Sequence, residues 1–182
     1  MMRTSITHPL QIDSLHVPSR AGLIGLTFCP GKKQDNALTG SWDRDLLADL
    51  REIQNWGADV LVTLMEQHEL ESLGVSQLGN QAERFDLRWL HLPIVDVSIP
   101  DTGFETQWHT AGPSLHRLLQ SGGRCVLHCK GGLGRTGTIA ARLLVEFGME
   151  PQAAIEAVRQ SRPGAIETVG QERYILSLAR QV

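Results

Sequence analysis

Cys129 and Arg135 stand with five residues between them, three of which are glycines, in the stretch His128 to Gly137 that reads HCKGGLGRTG. A thiol, a permanently charged guanidinium and a run of unencumbered amides are the parts needed to hold and attack a phosphate ester. Gly131, Gly132 and Gly134 let the loop curl until successive N–H groups converge into an anion-binding nest. The amides of Lys130, Gly131, Gly132, Leu133, Gly134 and Arg135 are therefore the expected phosphate-binding set. Arg124 to Leu127 reads as a strand entering the loop, and Thr138 to Phe147 as an Ala- and Leu-rich helix leaving it. A loop at a helix N-terminus presents unpaired amides and the positive end of the helix dipole to a bound dianion. The same field lowers a thiol from the roughly 8.5 of free cysteine, so Cys129 is expected to be a thiolate near neutrality. Arg135 adds a planar fork that takes two phosphate oxygens at once. Thr136 offers a hydroxyl near the sulfur, and His128 is expected to fix the loop by hydrogen bonds to the backbone.

Other readings of the loop fail on position. Gly132, Gly134 and Gly137 spell G-x-G-x-x-G, but a dinucleotide fold needs an acidic residue ending a second strand about 20 residues later. Glu156 instead falls inside a predicted helix. A nucleotide P-loop needs Lys before its Ser/Thr, and Arg135 stands there. A plain buried cysteine beside a turn requires neither the spaced glycines nor the arginine. Thiolate attack also calls for a carboxylic acid to protonate the leaving oxygen. Asp96 and Asp101 are the candidates, both in the proline-punctuated segment Pro93 to Asp101, which reads as a loop. Asp101 also fits the N-cap of a following helix.

HCKGGLGRT resembles the HCxxGxxRS/T signature of the cysteine-dependent protein tyrosine and dual-specificity phosphatases, and the chain is most similar to the kinase-associated branch. The resemblance extends through LIGLTFCPG (Leu23 to Gly31), PIVDVSIPD (Pro93 to Asp101) and RPGAIET (Arg162 to Thr168), although only the thiol loop is specific by itself. It implies a phosphatase-like α/β fold and a cysteinyl-phosphate intermediate. The D-x-x-x-P pattern from Asp96 to Pro100 aligns Asp96 with the family's general acid, on a loop able to close over substrate. Val95 stands where classical tyrosine phosphatases carry Trp, as smaller residues do in the dual-specificity branch. Gln171, by analogy with glutamines that follow the loop in relatives, is the candidate to place the water that hydrolyses the intermediate. Inositol-lipid phosphatases with a similar loop commonly carry a second lysine where Leu133 stands, which disfavours a lipid substrate despite Lys130. The expected activity is hydrolysis of phosphotyrosine and phosphoserine or phosphothreonine in proteins. A small-molecule or lipid phosphate ester, or phosphate reading without turnover, are the alternatives.

The elements that must position these residues alternate in type. Strands are predicted at Ala21 to Phe28, Asp59 to Leu64 and Leu87 to Leu92. Helices are predicted from a Ser41 cap through Trp56, at Glu66 to Leu73, at Phe104 to Gln120 with Pro113 kinking or restarting it, at Pro151 to Gln160, and from about Thr168 to Arg180. That alternation predicts an α/β fold, helices flanking a mostly parallel sheet, with the thiol loop at the carboxyl end of a central strand. Residues 1–20 are expected to be an N-terminal arm and 21–182 a single catalytic domain, a size and a 41% hydrophobic content able to build one core. A net charge of −3, with scattered basic residues, predicts no nucleic-acid binding. No apolar run approaches about 18 residues and the first ten lack a signal-like segment, so a cytoplasmic protein without membrane insertion is expected. The three cysteines fit a reducing compartment, with Cys29 and Cys125 read as buried small residues rather than resolving thiols. The seven histidines lack metal-ligand spacing, so no metal or other cofactor is expected, and a phosphate or sulfate ion is the expected occupant of the loop. Glu66, His68, Glu69 and Glu71 read as a solvated helix face.

Overall fold

The computed structural model describes residues 2–38 and 40–178. Its elements run β1 (Asp13–His16), β2 (Leu23–Thr27), β3 (Lys33–Ala37), β4 (Gly40–Asp43), α1 (Leu46–Asn55), β5 (Val60–Thr63), α2 (Gln67–Ser72), α3 (Leu78–Glu83), β6 (Arg88–His91), α4 (Thr102–Gln120), β7 (Arg124–His128), α5 (Gly134–Glu146), α6 (Pro151–Ser161) and α7 (Val169–Leu178). Five strands form one sheet in the order β1-β2-β7-β5-β6. The pairs β2·β7, β7·β5 and β5·β6 are parallel, and β1 joins the edge antiparallel to β2. All four residues of β5 and the last four of β7 are buried, as continuous apolar strands of a covered parallel sheet must be. The expected α/β architecture is thus present, with helices flanking the sheet, and β7 is its central strand.

The structure departs from the sequence reading in four places. Ser41 lies in β4, which pairs with β3 as a separate hairpin, and α1 starts only at Leu46. Its cap is Asp45, whose Oδ1 accepts the Ala48 N–H at 2.8 Å, so a genuine cap exists four residues later than predicted. The hairpin was invisible because its residues are mostly polar and only Trp42 among them is buried, leaving no period-two signal. The sequence pattern puts Leu46, Leu47, Leu50 and Ile53 on one face of this helix; Leu50 and Ile53 are buried, but Leu47 is exposed. Pro113 neither breaks nor restarts α4, which is continuous. Its missing N–H would have served His109, in an exposed turn where water can hydrate the freed carbonyl. A short helix, α3, was not foreseen. The predicted end of the last helix at Arg180 lies outside the described residues.

The first twenty residues contribute β1 and a fastened segment before it. The Arg3 N–H donates to the Ser41 carbonyl at 2.9 Å, and Arg44 Nη1 donates to the His8 carbonyl at 2.7 Å. Arg44 is itself in a fully buried bidentate pair with Asp49, Nε to Oδ2 and Nη2 to Oδ1 both at 2.8 Å. One buried ion pair thereby ties the N-terminal segment, the hairpin and α1 together. Among the described residues, no helix is long and apolar enough to cross a membrane.

Candidate active site

β7 delivers Cys129 to the carboxyl end of the central strand, and α5 begins five residues later at Gly134, so the loop is the first turn of a helix as well as the end of a strand. Cys129 is buried at 4% exposure. Gly132 has φ of +71°, and a Cβ there would lie 2.3 Å from the Thr27 carbonyl oxygen on the neighbouring strand. Only glycine allows both that backbone and that approach. Helical bonding starts at once: the Gly137 N–H donates to the Leu133 carbonyl at 2.9 Å, and Thr138 Oγ1 donates to the Gly134 carbonyl at 2.7 Å.

Arg135 is held by three residues. Its Nη1 donates to Glu69 Oε2 at 2.7 Å and to the Ile94 carbonyl at 3.0 Å, and its Nη2 to Glu69 Oε1 at 2.8 Å. Asp96 Oδ1 forms an ion pair with the same Nη2 at 2.9 Å. Burial acts to lower the guanidinium's pKa, but the Glu69 hydrogen bonds together with the negative charges of Cys129, Glu69 and Asp96 outweigh it, so the net shift is upward. Glu69 shows the mirror effect: burial acts to raise its pKa, the Arg135 bonds, the Glu66 N–H and the Arg135 charge together outweigh it, and the net shift is downward. Glu69 Oε2 also accepts the Glu66 N–H at 2.8 Å, which locks the carboxylate against the first turn of α2. The reading of Glu66, His68, Glu69 and Glu71 as a solvated face is therefore corrected for Glu69, which points inward. No local pattern could have revealed it, because its partner lies 66 residues along the chain.

The two candidate acids separate cleanly. Asp101 Oδ1 accepts the Phe104 N–H at 2.8 Å and caps α4. Asp96 sits beside Arg135 with a 58% exposed side chain, on a tight turn closed by the Ser98 N–H donating to the Val95 carbonyl at 3.1 Å. Val97 in that turn has φ of +54°, a conformation costing a β-branched residue about 1–3 kcal/mol. Asp96 Oδ1 accepts the Val97 N–H at 3.0 Å and so supports the strained residue.

His128 heads a directed chain. Trp89 Nε1 donates to Thr63 Oγ1 at 2.8 Å, leaving the threonine proton for His128 Nε2 at 2.7 Å, while His128 Nδ1 lies 3.4 Å from the Cys129 carbonyl oxygen. Burial pushes the imidazole down to about 3, so it is neutral and positions the loop without adding charge. Thr136 Oγ1 is buried without a hydrogen-bond partner among the described residues. Gln171 is fully buried: its Oε1 accepts the Glu167 and Thr168 N–H groups at 2.9 and 3.1 Å, and its Nε2 donates to the Ser98 carbonyl at 3.4 Å. It braces the acid loop against the turn before α7. A Cβ at Gly134 would meet Glu167 Oε2 at 2.4 Å and Gln171 Nε2 at 3.0 Å, so both side chains lie against the loop.

Two further residues escaped the sequence reading. Lys32 is 5% exposed, its Nζ 4.0 Å from the Trp42 ring centroid and donating to the Lys130 carbonyl at 3.4 Å. Burial pushes its ammonium down to about 8. Arg162 reaches the outer side of the loop. Cys29 and Cys125 are fully buried, as expected, and burial pushes both thiols up, Cys125 to about 12. A groove of about 540 Å³ runs from Lys130 along Lys33, Gln34, Asp35, Trp42 and Asp43 of the hairpin.

A protein-family model described as "PTP-SAK: Swiss Army Knife protein, DSP-PTPase phosphatase domain" matches residues 37–175. The chain belongs to the cysteine-dependent dual-specificity and tyrosine phosphatases. A rat relative, cyclin-dependent kinase inhibitor 3, is 30% identical over 173 residues, covering 92% of this chain and 77% of its own. A crystal structure of kinase-associated phosphatase with its catalytic cysteine replaced by serine matches with a TM-score of 0.83 at 25% identity, covering 95% of this chain and 96% of that one. The active form of the phosphatase Tk-PTP matches with a TM-score of 0.68 at 25% identity, over 93% and 98% of the two chains. This phosphatase is accordingly an enzyme of the protein-phosphatase class, with the cysteine mechanism typical of its family.

Proposed function

We propose that Cys129 is the nucleophile, Arg135 the phosphate clamp and Asp96 the general acid of this phosphatase. The thiolate attacks phosphorus in line as the P–O bond to the leaving group breaks, and Asp96 transfers its proton to the departing oxygen. The amides of Lys130 to Arg135 hold the equatorial oxygens, and a phosphate or sulfate ion can occupy the same cradle. The observation that carries this assignment is the shared fork. Arg135 Nη2 lies within ion-pair distance of Asp96, so a phosphate taking that fork displaces the carboxyl and frees it to face the leaving oxygen. Water then attacks the cysteinyl phosphate, Asp96 takes back the proton, and the S–P bond breaks to release phosphate. The unpartnered Thr136 hydroxyl suits stabilisation of the departing sulfur. Gln171, with Glu167 beside it, suits placement of the water. Asp101 serves as a cap.

The proposed substrate is a phosphorylated protein, bound with its chain along the groove between Lys130 and the hairpin, with phosphotyrosine and phosphoserine or phosphothreonine both accepted. The cytoplasm is the proposed compartment, supported by three free thiols among the described residues.

Hydrolysis of an aryl phosphate without added metal tests the assignment. Cys129→Ser is expected to abolish turnover, and Asp96→Asn to lower kcat by about 10²–10⁴-fold, while Asp101→Asn retains wild-type activity. A folded wild type without turnover would instead mark a phosphate-reading module. A panel of phosphotyrosine, phosphoserine and phosphothreonine peptides and inositol phosphates then assigns the substrate; strict preference for the inositol esters would overturn the protein reading.

A further inference from the structure

A loop that turns its amides inward must turn its carbonyls outward, because the C=O of one residue and the N–H of the next lie antiparallel in one rigid plane. Each outward carbonyl then needs a partner. The Lys130 carbonyl accepts the Cys29 N–H at 3.3 Å and Lys32 Nζ at 3.4 Å. The Leu133 carbonyl accepts the N–H groups of Gly137 at 2.9 Å and Ile166 at 3.2 Å. Between them, the carbonyls of Gly131 and Gly132 are both held by one side chain. Arg162 Nε donates to the Gly132 oxygen at 2.6 Å, and its Nη2 to the Gly131 oxygen at 3.2 Å. The remaining nitrogen, Nη1, bonds Asp13 Oδ2 on β1 at 2.6 Å, with the two side chains 12% and 17% exposed.

The loop is freest to rotate a peptide plane at this place, since neither glycine has a side chain to anchor it. We propose that Arg162 is a positioning residue that presets the phosphate nest from outside, fixing the Gly131–Gly132 and Gly132–Leu133 planes so that the Gly132 and Leu133 amides face the phosphate. Asp13 neutralises the guanidinium and anchors it to the sheet edge, so Arg162 acts by geometry rather than by added positive charge. Preorganised donors of this kind cost no reorientation when charge develops on the oxygens. The inference rests on the phosphate-loop assignment above.

The test compares Arg162→Met, Arg162→Lys and Asp13→Asn in the full chain. Each is measured for affinity toward tungstate, a phosphate-shaped dianion, by calorimetry, and for kcat and KM on an aryl phosphate, with urea unfolding as a check of the fold. Arg162→Met is expected to weaken tungstate by about tenfold or more and to lower kcat, a partial version of the 10²–10³-fold loss on deleting an oxyanion donor. Arg162→Lys, which keeps the charge but cannot span both carbonyls and Asp13, is expected to stay close to Met. Asp13→Asn loosens the anchor and is expected to cost a few-fold in tungstate affinity; it carries the test if the Met variant does not fold. Full rescue by lysine, or unchanged tungstate affinity in the folded variants, would overturn the positioning role. Wild type that binds tungstate without hydrolysing ester would sink the enzymatic assignment while leaving the Arg162 comparison readable.

Discussion

Replacing Glu69 by Gln removes one charge from the pair that orients Arg135 while preserving the side chain's shape. In the wild type each carboxylate oxygen accepts from one guanidinium nitrogen, at 2.7 and 2.8 Å, with side-chain exposures of 11% for Glu69 and 1% for Arg135. The Gln amide keeps one acceptor and turns an N–H₂ group toward the other guanidinium nitrogen, where donor faces donor. Losing one charge-assisted hydrogen bond corresponds to about 1.5–3 kcal/mol. At about 1.4 kcal/mol per tenfold, kcat/KM is expected to fall about 10- to 150-fold if the loss is felt wholly in the oriented clamp. Stability is expected to fall by a similar amount, below the roughly 3–5 kcal/mol for breaking a fully buried pair, because Glu69 retains some solvent contact.

The pH dependence gives a second handle on the same substitution. The folded pKa of Glu69 is depressed from its ordinary 4.5, so the pair's contribution is present above that value and is lost as pH falls through the folded pKa. The stability gap between wild type and Glu69→Gln should therefore be full at pH 7 and shrink below pH 4.5. Aryl phosphate kinetics and urea unfolding at neutral and acid pH measure both effects. Activity within twofold of wild type, together with a gap that does not change with pH, would refute the assignment of Glu69 as the residue that orients Arg135.

His128 and the glycines supply the remaining predictions. The His128 imidazole is held near 3 against an ordinary 6.5, so the unfolded chain binds the extra proton between those values and stability falls as pH drops through that window. From pH 7 to pH 5 the loss from this group alone is about 2 kcal/mol; His128→Gln should flatten the urea-midpoint profile there, and equal slopes would contradict the buried neutral imidazole. Gly132→Ala combines a positive φ with a Cβ 2.3 Å from the Thr27 carbonyl, whereas a Cβ at Gly131 meets nothing within 4 Å. The first change is expected to cost about 3 kcal/mol or more in unfolding free energy and the second about 1 kcal/mol or less; equal costs would show that the loop relaxes around the added methyl.

The place of the loop between a strand and a helix was readable in the chain because its causes are local. A thiol, spaced glycines and an arginine lie within ten consecutive residues, and the apolar strand and helix on either side set their direction. The loop that carries Asp96 and Asp101 was readable from its prolines and its aspartates, and the capping role of Asp101 followed from its place before a helical run. What holds these parts in register was not legible. Glu69 lies in a short polar helix whose pattern describes a solvated face, and only the docking of α2 against the loop turns its carboxylate onto Arg135. Lys32 and Arg162 meet the loop from segments far away in sequence, as partners for backbone carbonyls that carry no side-chain signature, and Asp13 accepts from Arg162 behind them. The polar hairpin β3–β4 was missed because its strands bury too little to impose alternation. Local residue order sufficed to bring a thiol, spaced glycines and an arginine into one loop, since those causes lie within ten consecutive residues. The tertiary structure decided how they are aimed, because outward carbonyls and a buried guanidinium are satisfied by whichever side chains the fold brings to them.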